Sequence, residues 1–290
     1  MPFAKEAFST IGEAVVIPDQ TISTDTVRDA DILAIRSTVR VNSKLLEGSN
    51  VKFVGTATIG FDHIDTAYLG SRNIRWCAAP GCNANSVSEY VVSALLCLSQ
   101  RHGFHIAGKT MGIIGVGHVG SLVAMKAKAL GMNVIYNDPP RERVEGNDEV
   151  QFVPLDKLLR KADIVSLHVP LTREGPDATL HMANKDFFAS MKHGSLFINC
   201  ARGPAVETAA LLDAMSRNVV ARSVIDTWDP EPAYPQELMT RVNIATPHIA
   251  GHSFEGKVMG TLMVYREACR HMGIEPTLSL IQISEPTRPY

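Results

Sequence analysis

A glycine turn between an apolar strand and an apolar helix constrains this chain more than any other stretch. The run Met111 to Ile114 is followed by Gly115, Gly117 and Gly120 in G-x-G-x-x-G spacing, and Val119, Leu122, Val123, Ala127 and Leu130 then recur in helical register. A second apolar run, NVIYN, leads directly into Asp138. In a strand–turn–helix–strand unit the first glycine permits the tight turn, the second lets a pyrophosphate approach the backbone, and the third lets helix pack on strand. The helix N-terminus adds unpaired N–H groups and a partial positive charge for the phosphates. Asp138 at the end of the second strand would accept hydrogen bonds from a ribose hydroxyl and repel a 2′-phosphate, which favours NAD over NADP. Alone, three glycines mark an ordinary turn and an Asp after a strand is more often a turn former. The combination carries the reading.

The totals leave room for this unit and a second one. A chain of 290 residues accommodates two domains at about 100–200 residues each, and 45% apolar with 20% charged residues is the make-up of a globular protein. A net charge of −2 argues against nucleic-acid and membrane-surface partners. No apolar run reaches membrane-spanning length, and the N-terminus lacks a basic stretch followed by an apolar core and a cleavage site, so a cytoplasmic location is expected. Cys77, Cys82, Cys97, Cys200 and Cys269 show no paired C-x-x-C spacing; they read as reduced thiols, with neither a disulfide framework nor a metal site.

Residues 1–82 alternate short apolar runs with helical connections, with strands expected at Ala14–Ile17, Asp31–Ile35, Lys52–Ala57 and Ile74–Ala78. That pattern predicts a small α/β substrate domain with a parallel sheet, to which residues 255–276 return. The segment 83–102, with Val87, Val91, Leu95 and Leu98 in register, is expected to be a buried helix opening a dinucleotide-binding domain over 83–254. Further strands are expected at Ile164–His168, Ser195–Cys200, Ala221–Asp226 and Val242–Ala245, which with the glycine unit make a doubly wound parallel sheet. Residues 277–290, with Pro286 and Pro289, break the pattern and are expected to be a non-native tail.

Ligands in such sheets bind outside the carboxyl ends of the strands, and three of those ends carry reactive side chains. Arg202, in INCARGP, offers a guanidinium fork for a carboxylate. Glu231, in DTWDPEP, offers an acid to orient a histidine, and His248, in TPHIAG, offers an imidazole that can take a hydroxyl proton. Singly these are a surface charge, a loop acid and a structural histidine. At successive strand ends beside a dinucleotide turn they form a clamp, an orienting acid and a base.

The motifs GVGHVG, INCARG, DTWDPEP and PHIAG, in that order, resemble the D-2-hydroxyacid dehydrogenase family. RSTVRVN, VGTATIGFDHID, APGCNANSVSEYV and HIAGHSFEGK are similar to one branch of it, whose substrate is a phosphorylated 2-hydroxy acid and which serves pyridoxal 5′-phosphate biosynthesis. The resemblance extends to about Met272. It implies a Rossmann dinucleotide domain with a smaller flavodoxin-like substrate domain, and NAD-dependent oxidation of the C2 hydroxyl of a 4-phosphorylated acid to the 2-oxo acid. Arg202, Glu231 and His248 would be catalytic. The implied cofactor contacts are Gly115, Gly117, His118, Val119, Gly120, Asp138, Val169, Cys200, Ala201, Asp226 and Gly251. Ser37 and Thr58 would contact substrate, and Arg36 is added as a cation for its phosphate. His252 stands where the branch commonly has a substrate-contacting Tyr. The family's full-length members are expected to be homodimers; relative to them this chain is expected to lack the first strand and the C-terminal dimerisation domain. Other members, acting on 3-phosphoglycerate or on glyoxylate and hydroxypyruvate, and an NAD-sensing binding protein without catalysis, are the competing readings.

Overall fold

The computed structural model describes residues 1–146 and 151–278. Two compact units divide the chain, one made of Met1–Asn83 with the chain from His252 onward, the other of Ala84–Gly251.

The first unit is built on three parallel strands, β1 (Ile32–Ile35), β2 (Phe53–Thr56) and β3 (Arg75–Cys77), hydrogen-bonded in that order. Alternation along the strands sorts their side chains onto two faces. Leu33, Ile35 and Val54 join Val27, Leu46, Leu69 and Ile74 in one cluster. Phe53 and Ala57 pack on the opposite side with Val264 and Ala268, from the long helix Phe254–Met272. One expected strand is absent: Ala14–Ile17 pairs with no strand among the described residues and leaves Val15 and Val16 72% and 66% exposed. An apolar run becomes a strand only where a neighbour takes up its backbone hydrogen bonds, and here none does.

The second unit holds six parallel strands, β4 (Thr110–Ile114), β5 (Asn133–Asn137), β6 (Ile164–Leu167), β7 (Ser195–Asn199), β8 (Val220–Ile225) and β9 (Ile244–Ala245). Their order across the sheet is β5-β4-β6-β7-β8-β9. Strands buried on both faces read as continuous apolar runs, as β6 and β7 do, with every residue buried. One face packs on a cluster that includes Val91, Leu95, Leu98, Val123 and Ala127, from the helices Ala84–His102 and His118–Ala129. The other packs on Leu158, Leu159, Phe187, Phe188 and Leu211. The chain runs outward from β4 to β5 and then returns to β6 on the other side of β4, so the topological switch, and with it the ligand crevice, lies at the carboxyl ends of β4 and β6. The proposed non-native tail lies, from residue 279 on, outside the described residues. Among the described residues no helix is long and apolar enough to cross a membrane.

Candidate active site

The glycine turn leaves β4 and enters the helix His118–Ala129 through Gly117. Gly115 has φ +85°, and a Cβ there would stand 2.7 Å from the His168 carbonyl oxygen at the end of β6. Gly120 lies so close to Gly115 that a Cβ would be 2.0 Å from its carbonyl oxygen. Both must be glycine, one for conformation and one for contact. Gly117 differs, because a Cβ there would meet nothing within 4 Å. No side chain caps the helix that follows, so open space faces its free N–H groups. A dinucleotide pyrophosphate fits that arrangement. His118 is exposed at the first helical position and Val119 is half-buried.

Asp138 accepts from the Val116 N–H at 2.7 Å through Oδ2 and from the Arg141 N–H at 3.1 Å through Oδ1, so it both ties the turn to β5 and caps the next helix. Arg141 is engaged by Glu145 at 2.7 Å and by the Val116 carbonyl at 2.6 Å. Val169 follows β6 and packs near Gly115.

At the end of β7 the chain turns through Cys200, Ala201 and Arg202. Asn199, 1% exposed, staples that turn by accepting from the Ala201 N–H at 3.0 Å and donating to the Arg202 carbonyl at 3.1 Å. The Cys200 thiol is held well above its ordinary value, first by burial and then by Asp226; a neutral thiol is a poor nucleophile.

Asp226, next after β8, is 1% exposed. Its Oδ1 accepts from the Thr246 hydroxyl at 2.6 Å and the Ile249 N–H at 2.8 Å, and its Oδ2 from the Ala250 N–H at 2.9 Å. The carboxylate thereby shapes the loop between Thr246 and Gly251 that carries His248, whose own N–H donates to the Asp226 carbonyl at 2.7 Å. His248 sits at φ +56°, a left-handed conformation uncommon outside glycine.

Glu231 lies between two cis X-Pro bonds, Asp229–Pro230 and Glu231–Pro232. Its Oε1 accepts from the Trp228 N–H at 2.7 Å and its Oε2 lies 2.9 Å from His248 Nδ1. Since a carboxylate only accepts, Nδ1 carries the proton and Nε2 is left as the basic nitrogen. The bond to Glu231 raises the His248 pKa above its ordinary value; burial opposes this, the Glu231 and Asp226 charges add to it, and Arg202 subtracts. Burial pushes the Glu231 carboxyl up, but its bonds to His248 and Trp228, with the His248 and Arg202 charges, bring it below the ordinary value. Arg202 therefore acts electrostatically on both members of the pair, and the three side chains share one site.

In the first unit Arg36 follows β1 and Thr58 follows β2, where the Thr58 hydroxyl donates to the Gly60 carbonyl at 2.8 Å. Ser37 is exposed beside Arg36, and so is His252. The His252 pKa is lowered by burial first, then by Lys257 and Arg36, so in this unit two cations hold a neighbouring histidine toward its neutral form. Lys257 was not legible as part of such a group. Nor were Tyr90 and Thr246, whose hydroxyls meet at 2.6 Å, because nothing local in either segment pairs them. His168 was also missed: it is half-buried at the end of β6, its Nε2 lies 2.9 Å from the Ser166 hydroxyl, and desolvation drives its pKa down to about 4.

The chain is similar to known proteins over most of its length. A family model described as D-isomer specific 2-hydroxyacid dehydrogenase, NAD binding domain, matches residues 91–250. Erythronate-4-phosphate dehydrogenase of Cronobacter sakazakii is 44% identical over 286 residues, spanning 99% of this chain and 75% of that one. The enzyme of the same name from Proteus mirabilis is 44% identical over 94% of this chain and 72% of its own. Among solved structures, D-lactate dehydrogenase from Aquifex aeolicus, complexed with NAD and lactic acid, aligns with a TM-score of 0.77 at 25% identity, over 93% of this chain and 92% of that one.

Proposed function

Because the chain belongs to the D-isomer specific 2-hydroxyacid dehydrogenase family, NAD-dependent enzymes, we propose that it oxidises the C2 hydroxyl of 4-phospho-D-erythronate to the 2-oxo acid. The observation that carries the reading is the 2.9 Å bond between Glu231 and His248 Nδ1, which leaves Nε2 as a base. In this reaction the alcohol loses a proton and a hydride from one carbon. NAD, when bound, supplies the hydride acceptor. His248 Nε2 takes the hydroxyl proton, and Glu231 fixes its tautomer and raises its basicity. Arg202 holds the carboxylate through paired N–H donors and draws charge from the neighbouring carbonyl oxygen as it forms. The turn Gly115–Gly120 with the helix start at His118 would hold the pyrophosphate, and Asp138 the ribose. Val119 in the first helical turn, with Val169, Cys200, Ala201, Asp226 and Gly251 in the segments after the strands, would complete the proposed cofactor site.

The phosphorylated substrate is supported by the relatives named above and by the cations Arg36 and Lys257 beside His252, a group suited to a dianion. Ser37 and Thr58 would add hydroxyl donors. Assembly as a homodimer and a cytoplasmic location belong to the same reading. A panel of 2-hydroxy acids assayed by NADH absorbance tests it: 4-phospho-D-erythronate is expected to give the highest kcat/KM, and a preference for 3-phosphoglycerate or glycolate would assign the enzyme elsewhere in the family.

A further inference from the structure

A polar cavity lies in the Ala84–Gly251 unit, at the end of the sheet opposite the glycine turn. Its volume is about 100 Å³, and its walls come from the residues that precede or open β4, β6 and β7, together with Arg222 of β8 and Phe104. Four cationic or potentially cationic side chains line it, Lys109, Lys192, His193 and Arg222, against one carboxylate, Asp163. That carboxylate is already engaged. It accepts from the Thr110 N–H at 2.9 Å and from the Lys192 ammonium at 2.5 Å, and its pKa is held low, with burial opposing those bonds and Lys109 assisting them.

Arg222 and Lys109 are different. Neither side chain donates a hydrogen bond among the described residues, and Arg222 Nε is buried with no acceptor. Both lean on one ring instead, with the Arg222 guanidinium 5.2 Å and the Lys109 ammonium 6.0 Å from the Phe104 centroid. A buried guanidinium N–H without an acceptor is unfavourable, and native structures rarely leave one.

The backbone is bent to put Arg222 there. Ser195 of β7 pairs with Val220 of β8, but the next residue, Leu196, pairs with Arg222, so Ala221 is an extra residue on β8. Val220 packs in the cluster on one face, whereas Leu196 and Val224 pack in the cluster on the other. Residues two apart on a regular strand share a face; the bulge breaks that rule and turns Arg222 to the side of Leu196 and Phe104. Bulges of this kind re-aim a side chain and are common beside functional sites.

We propose that this cavity binds a small multivalent oxyanion, a phosphate group, either free or as the head of a small phosphorylated metabolite. Arg222 supplies charge-assisted N–H donors, Lys109 a second cation, and Phe104 the wall that holds both in place. The site lies at the amino ends of the strands, away from the carboxyl ends where the proposed dehydrogenase site sits, and does not depend on that reading.

The test is thermal unfolding of the NAD-saturated full chain, titrated with inorganic phosphate against chloride at matched ionic strength, with glycerol phosphate as a parallel arm. The wild type should gain Tm with phosphate beyond the chloride response. Arg222→Met should keep or raise the phosphate-free Tm, because it removes the orphaned donor, and should weaken apparent phosphate affinity about tenfold or more. Lys109→Gln, outside the strands, should weaken it in the same direction and guards against a folding defect in the first variant. A stronger response to glycerol phosphate than to phosphate would assign the metabolite head group, and the reverse would assign the free anion. A phosphate response equal to chloride, or one unchanged in both variants and lost instead in Arg36→Ala, overturns the proposal.

Discussion

Replacing Glu231 by Gln separates the two things that residue is argued to do for His248. The amide oxygen can still accept from the Trp228 N–H, as Oε1 does at 2.7 Å, so the loop keeps its anchor. The amide NH2 then faces His248 Nδ1, where a carboxylate oxygen stood at 2.9 Å. A donor at that point forces the proton onto Nε2 and removes the base from the substrate side. Loss of a positioned base is worth about 10²–10⁴ in rate, so kcat should fall at least about a hundredfold. The residual activity carries the second readout. The His248 and Glu231 side chains are 46% and 32% exposed, which places the pair between a surface ion pair at about 0.2–1 kcal/mol and a charge-assisted bond at about 1.5–3 kcal/mol. Removing that interaction lowers the imidazole pKa. Oxidation requires the neutral imidazole, and Glu231 raises the His248 pKa, so the acid limb of the kcat/KM profile should move to lower pH in the variant. The assay is NADH absorbance across the acid range, with Tm followed to show that the fold survives. An acid limb at the wild-type pH, whatever the drop in kcat, would refute the coupling between Glu231 and the base.

Arg202→Lys exchanges a bidentate fork for a point charge and should lower kcat/KM for the hydroxy acid about 10- to 100-fold while NAD affinity by fluorescence titration stays near wild type; an unchanged KM for the acid would remove Arg202 as the carboxylate clamp. Gly117→Ala should fold with the wild-type Tm, since its φ of −75° is ordinary and its surroundings are open, yet the methyl group should weaken NAD binding about tenfold by standing in the pyrophosphate's approach. Gly120→Ala should lose Tm and NAD binding together, because its Cβ would be 2.0 Å from the Gly115 carbonyl oxygen; equal behaviour of the two variants would mean the turn is purely structural. Asp138→Ala removes a helix cap worth about 1 kcal/mol and should raise the ratio of NADP to NAD affinity, measured by parallel titrations, and an unchanged ratio would detach Asp138 from the ribose.

What could be read in advance was what short-range pattern encodes. The apolar runs of β6 and β7 announce strands buried on both faces, and the glycine spacing announces the turn because Gly115 answers a demand of conformation and Gly120 one of contact. Ala14–Ile17 shows the limit of the same reasoning, since its composition is that of a strand but pairing is supplied by a neighbour, not by the run itself. The chemistry was legible as three residue types at three strand ends, whereas its support was not. Asn199 stapling the Arg202 turn, the Tyr90–Thr246 contact and the bulge that turns Arg222 all depend on partners brought together by the finished sheet.

The same supporting bonds bear on whether the chain is an enzyme or an NAD-sensing binder on an enzyme's scaffold, a question the glycine turn leaves open because fold and cofactor site are common to both. A binder has no use for a base. Here a 1% exposed carboxylate, Asp226, directs its hydrogen bonds at the segment around His248, and His248 itself is held at φ +56°. A buried carboxylate and a left-handed non-glycine residue are each unfavourable by themselves, and they persist where surrounding structure over-determines them. The product of that arrangement is an imidazole whose Nδ1 meets Glu231 and whose other nitrogen is free of hydrogen bonds among the described residues. A cofactor site alone gives no reason for the Glu231–His248 bond, and holding a base in place does, in keeping with the dehydrogenases of its family.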